Sequence, residues 1–174
     1  MMGIKWDRVF ENEQRQFDRM TEAEKFIYFL LLQFNSPYGW GKENPESSDC
    51  SGAVCLALLA ATGHFIRTTA DDLYKRVFTA QRPSPDGIRA AFFVDGKTGA
   101  ASHVAGLVGD GVVLNSQEGG ARVRSLDFLS AWFWNRGSST AIRGLDRAAL
   151  VRLSHEGSRY DVDPELRRYM EIAL

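Results

Sequence analysis

Apolar and polar positions along the chain change period once, near residue 85. Upstream, apolar side chains recur every three or four residues, the spacing of one helix face. Trp6, Phe10, Phe17 and Met20 fall at intervals of four, seven and three, which predicts a helix over 6–20. Thr21 followed by Glu24 has the form of a capping box and predicts a second helix running to about Phe34. Its apolar positions wrap most of the way round, so burial against other elements is expected. Residues 35–48 are rich in Gly, Pro, Asn and Ser and read as a loop. Asp49 is placed to cap a helix through the Ala/Leu run that follows, with Gly63 as its stop. This central helix should be buried. A short helix is expected from Thr69 to Phe78, with Ala70, Leu73 and Val77 on one face.

After Pro83 and Pro85 the runs become short and strand-like. Strands are predicted at 90–94, 103–108, 112–116 and 121–125, with Gly109-Asp110-Gly111 as a hairpin turn. Leu126 to Trp134 and Pro164 to Leu174 read as helices. The sum is one α+β domain over 1–174: N-terminal helices packed on a small antiparallel sheet, followed by more helix. Its expected parts are a helical extension (1–35), a core (36–125) and a C-terminal helical segment (126–174).

Composition narrows the function classes. In 174 residues, 44% are hydrophobic and 25% charged, which is globular rather than disordered. The 21 basic and 22 acidic residues leave a net charge of −1, so charge gives no footprint for nucleic acid. Phe26 to Leu32 is too short to span a bilayer, so no membrane partner is expected. The N-terminus lacks the apolar run of a secretory signal, and synthesis in the cytoplasm is expected. Two cysteines make neither a disulfide framework nor a four-cysteine zinc site, and no metal or cofactor is expected.

The chemistry concentrates near Cys50. It stands at the first turn of the central helix, where unpaired backbone N–H groups and the dipole's positive end favour a thiolate and could hold an oxyanion. Cys55 lies about 140° further round, at 100° per residue, and reads as core. A cysteine nucleophile needs a base. His64 follows the helix stop and His155 sits in a polar stretch, so both read as surface residues. His103 opens the apolar strand Ser102–Val108 beside the core. A third group should orient its ring, and Asn115 and Gln117 share a face of the next strand. A two-residue turn would pair Gly106 with Asn115, a count that favours Gln117; a bulge at the glycines would change the answer.

Tyr38-Gly39-Trp40-Gly41, Asp49-Cys50-Ser51-Gly52 and His103-Val104-Ala105-Gly106-Leu107-Val108-Gly109-Asp110-Gly111 together resemble the NlpC family of papain-like cell-wall cysteine peptidases. In that family a Tyr precedes the nucleophile by twelve positions, and a polar residue follows the His by twelve, as Tyr38 and Asn115 do here. The likeness covers about 36–117, with fainter echoes at Arg67-Thr68-Thr69-Ala70 and Phe92-Phe93. It implies a papain-like fold with Cys50 as nucleophile at the start of the central helix. It further implies His103 as base and then acid, and Asn115 rather than Gln117 as the orienting residue. Tyr38 would set its hydroxyl beside the thiolate; Asp49 and Ser51 would line the substrate cleft. Three departures from the pattern are expected to matter: the third position is usually His, Lys42 replaces a glycine, and neither an export signal nor a wall-binding module is expected here.

By this resemblance the chain is expected to cleave amide bonds in peptidoglycan stem peptides, at γ-D-glutamyl-diaminopimelate or -lysine bonds. The cell wall is the expected site of action, reached by phage lysis, a phage tail or a dedicated secretion apparatus. Phage origin is the favoured of these. A catalytically idle binding module and a thiol acyltransferase are the alternatives. Trp132 and Trp134 read as packing residues, and Arg122 and Arg124 as a solvated strand face.

Overall fold

The computed structural model of the chain describes residues 14–44 and 47–156. Helix α1 occupies 14–19; the rest of the helix expected over 6–20, and all of that expected from Pro164 to Leu174, lie outside the described residues. Helix α2, Glu22–Leu32, begins at the capping box: the Thr21 hydroxyl accepts from Glu24 N–H, and the Glu24 carboxylate accepts from Thr21 N–H at 2.7 Å. Phe26 and Leu30 are its buried face, while Tyr28, Leu31 and Leu32 remain exposed, so α2 is buried along a stripe and not all round.

A two-residue hairpin, β1 (Glu43–Asn44) and β2 (Ser47–Ser48), lies within the segment expected to be loop. Helix α3, Cys50–Thr62, follows at once. Asp49 caps it by accepting from Gly52 N–H, and Gly63 ends it at φ 74°, a left-handed conformation that suits glycine. Seven of its apolar or small positions from Gly52 to Ala61 are buried, including Cys55. Thr69 caps α4, Ala70–Asp72, which widens into a π-helical turn over Leu73–Val77; Ala70, Leu73 and Val77 are buried as expected.

Five antiparallel strands form the sheet: β3 (Arg89–Asp95), β4 (Ala101–Gly109), β5 (Val112–Gln117), β6 (Gly120–Ser125) and β7 (Ser138–Gly144). Their order is β6-β5-β4-β3-β7. Helix α5, Leu126–Trp134, separates β6 from β7, and α6, Arg147–Glu156, follows. Strand β7 corrects the expectation of a wholly helical segment after residue 126. Between its buried ends, Ser138 and Gly144, its residues are exposed or only partly buried, so it lacks the apolar alternation that marks a strand in sequence.

The sheet has two covered faces. Ala90, Phe92 and Val104 pack with α2, α3 and α6. Ala91, Phe93, Ala105, Leu107 and Val113 pack with Leu126, Leu129 and Phe133 of α5. Gly106 lies where α2 crosses β4; a Cβ there would run into Leu30, so glycine lets the helix seat directly on the strand that carries His103.

Candidate active site

The segment before α3 is built around one carboxylate. Asp49 Oδ1 accepts from Gly52 N–H at 2.6 Å and from the Ser51 hydroxyl at 3.1 Å; Oδ2 accepts from Gly41 N–H at 2.9 Å and from Arg67 Nη2 at 2.8 Å. Arg67 also donates through Nη1 to Ser51 Oγ and to the Thr68 carbonyl. Both charges are buried, and together they fasten the helix start to the Tyr38–Gly41 loop and the Arg67 segment. A Cβ at Gly52 would collide with the Lys42 carbonyl, which gives the motif glycine its physical reason. Arg67 entered the sequence reading only as an echo of the resemblance. A lone cation directly after Phe65-Ile66 is the signal that marks it.

Cys50 is half-buried at the first position of α3. Backbone N–H groups of Val104 and Ser51 hydrogen-bond its sulfur. Burial, and next the Asp49 carboxylate, push the thiol up to about 11, against the pull of those N–H groups and Arg67. The thiolate expected from the helix start is therefore not the resting form. Removing the sulfur from water outweighs the favourable N–H groups.

Across the cleft, His103 Nε2 lies 2.6 Å from Asn115 Oδ1, with both residues buried. An amide oxygen only accepts, so Nε2 carries the proton and Nδ1 is left as the acceptor. Burial lowers the pKa of His103 below the ordinary 6.5, opposed by the Asn115 bond and by Asp49. The ring is neutral at pH 7.

The pairing depends on a β-bulge. Gly109 pairs with Val112 as the simple count requires, but the register then shifts: Leu107 pairs with Val113 and Gly106 with Leu114. Without the extra residue, Val108, Gly106 would oppose Asn115 and carry it to the face away from His103. The bulge rotates Asn115 onto the His103 face. Gln117 turns to that face with it, and it is the 2.6 Å bond to Nε2 that singles out Asn115 as the partner of the ring, while Gln117 pairs with Gly120 at the far end of β5.

Tyr38, Asp49, Cys50, Ser51, Arg67 and His103 line one cleft of about 350 Å³, whose rim includes the exposed Trp40. Burial chiefly, then the negative charge available to Cys50, raises the pKa of the Tyr38 hydroxyl, which stays protonated. A carboxylate has about four acceptor positions, and those of Asp49 are taken by neighbours within the protein. Asp49 thus lines the cleft as a brace. Outside the cleft, His64 is half-buried against the Ser154 hydroxyl, and His155 is exposed in the last turn of α6.

A helix-terminal cysteine and a strand-borne histidine line one cleft, and an amide bonds the histidine; these are the parts that a thiol-peptidase type of site requires. The NlpC/P60 family model matches residues 35–139, and the chain belongs to that family, whose members include cysteine peptidases acting on peptidoglycan. The chain is similar to NlpC1 from Trichomonas vaginalis at 18% identity and TM-score 0.54, with 72% of this chain and 44% of that one covered. An NlpC/P60 family protein from Bacillus cereus aligns at 22% identity and TM-score 0.55, over 71% of this chain and 40% of that one. The NlpC/P60 domain of the peptidoglycan hydrolase SagA aligns at 21% identity and TM-score 0.50, over 71% and 98%. These likenesses show the fold; the chain spans under half the length of the first two. No curated protein sequence matches the chain.

Proposed function

We propose that the chain is a cysteine endopeptidase or amidase of peptidoglycan stem peptides, acting at γ-D-glutamyl-diaminopimelate or -lysine bonds at the bacterial cell wall. The carrying observation is the His103–Asn115 bond, which engages Nε2 and leaves Nδ1 as the acceptor nitrogen of a ring that lines the same cleft as Cys50. The resting pair is thiol and imidazole rather than an ion pair, so His103 acts as a general base. The Cys50 proton passes to Nδ1 as Sγ attacks the amide carbonyl carbon. The start of α3 and the Tyr38 hydroxyl stabilise the oxyanion that forms. The C–N bond then breaks, and the leaving amine takes the proton from Nδ1. Water attacks the thioester carbonyl and gives a proton to Nδ1; the C–S bond then breaks, Nδ1 returns that proton to Sγ, and the acid released loses its own proton to solvent to become the carboxylate.

Digestion of purified peptidoglycan by the wild type and Cys50→Ala, followed by mass analysis, tests this. New amine and carboxyl termini should arise only with the wild type. The protonated resting thiol favours one other reading, a module that holds stem peptides without cutting them. Retention of uncleaved fragments by the wild type would establish that reading instead.

A further inference from the structure

The Asn115 contact leaves the His103 ring under-determined. One hydrogen bond fixes the position of Nε2 but permits the ring to turn about the Nε2···Oδ1 line, which displaces Nδ1. A neutral amide also adds no charge to hold the ring. The missing constraint comes from α5. The Phe133 ring stacks on the imidazole at 5.1 Å between centroids and 24° between planes. Phe93, paired with His103 across β3 and β4, meets the same imidazole at 5.7 Å and 43°.

Phe133 is itself held. It stacks on Phe93 at 4.0 Å and 22°, and Trp132 meets its edge at 4.7 Å. The Arg136 guanidinium closes the stack 3.5 Å over Trp132. His103 is 8% and Asn115 2% exposed, so their hydrogen bond is removed from water, which would compete for both partners, and the Phe133 ring covers the imidazole side of it. Phe133 does not line the cleft.

We propose that Phe133 is a positioning residue that fixes the plane of the His103 imidazole and shields its bond to Asn115 from water. This rests on the reading of His103 as the base. The test uses the full chain with Phe133→Leu, Phe133→Tyr and, as a control on the same helix, Trp134→Ala, whose side chain is exposed. Two readouts are taken: exchange of the His103 Nε2–H proton, by NMR on ¹⁵N-histidine-labelled protein without substrate, and kcat and KM for stem-peptide cleavage.

Phe133→Leu keeps apolar volume but no ring, so it should speed Nε2–H exchange and lower kcat at least about tenfold, with KM changed less than about twofold. Phe133→Tyr and Trp134→Ala should keep the protected proton and kcat within about threefold of wild type. Wild-type exchange in Phe133→Leu would overturn the proposal, whatever its kcat. If Phe133→Leu does not fold, the Tyr variant decides: fast exchange in folded Phe133→Tyr would overturn the proposal, and a protected proton would support it. The exchange arm needs no turnover. A wild type that failed to cleave peptidoglycan would therefore count against the assigned function and leave the ring clamp separately measured.

Discussion

Cys50 and Cys55 sit on one helix, five positions apart, and have different surroundings. Cys55 is fully buried in the core between the helices and the sheet. Cys50 opens α3 at the cleft, where the Val104 and Ser51 N–H groups meet its sulfur. The residue type is the same, and so is the helix. What separates them is the end of the element: α3 starts where Asp49, Arg67 and the Gly41 backbone form a fixed frame, and where the β4–β5 ladder has already ended at Gly106. Under the proposed function, reactivity is a property of the helix start and not of cysteine as such. The two sites should therefore carry opposite costs on substitution, chemical at one and structural at the other.

The largest contrast should come from removing each sulfur. Cys50→Ala should lower kcat by at least about a thousandfold with little change in stability. Cys55→Ala should leave kcat within about twofold and cost about 1–2 kcal/mol in urea unfolding, through the small cavity left in the core. Next is the frame itself. Arg67→Ala would strand the buried Asp49 carboxylate and should cost about 3–5 kcal/mol of folding stability, measured by the same unfolding titration. A loss under about 1 kcal/mol would mean that the helix start does not need its ion pair.

The orienting amide comes third. Asn115→Ala should lower kcat by at least about tenfold, roughly 1.4 kcal/mol of transition-state stabilisation, and Gln117→Ala should change little. Asn115→His should keep activity. A normal kcat in Asn115→Ala together with a collapsed one in Gln117→Ala would reverse the assignment.

The smallest effect is in the pH profile. His103 must be neutral to accept the thiol proton, and burial lowers its pKa below 6.5. The acid limb of kcat/KM should therefore fall below pH 6.5: activity persists under mildly acidic conditions and is lost as the ring protonates. Since the Asn115 bond raises the His103 pKa, Asn115→Ala should move that limb further toward acid. The thiol, at about 11, adds no titration near neutrality. An acid limb above 6.5 would contradict the burial of the imidazole.

Much of this architecture is written in local patterns. The capping box at Thr21, the Asp49 cap, the Gly63 stop and helix Leu126–Trp134 depend on a few neighbouring residues, and each formed where those residues stand. The placement of Cys50 at a helix start and of His103 near a strand start was legible for the same reason. The face of Asn115 and Gln117 was not legible by counting, because a single bulged residue, Val108, reverses which face every later β5 side chain takes, and which of the two meets the ring is a tertiary outcome. Strand β7 escaped because Ser138–Gly144 gains its place from pairing with β3 rather than from its own alternation. The resting protonation of the thiol and the Phe133 stack are tertiary outcomes: both depend on what surrounds a group in space, and the run Ala131-Trp132-Phe133-Trp134 does not say which ring will meet the histidine.

The most direct measurement returns to the two thiols. The folded protein is treated with iodoacetamide at neutral pH, residual cleavage of stem peptides is followed, and label on the peptides bearing Cys50 and Cys55 is quantified by mass. The account predicts label at Cys50 alone, with activity falling in proportion to it, because Cys55 is closed off in the core. Equal labelling of both thiols, label on Cys55 first, or full activity with Cys50 alkylated would contradict Cys50 as the nucleophile.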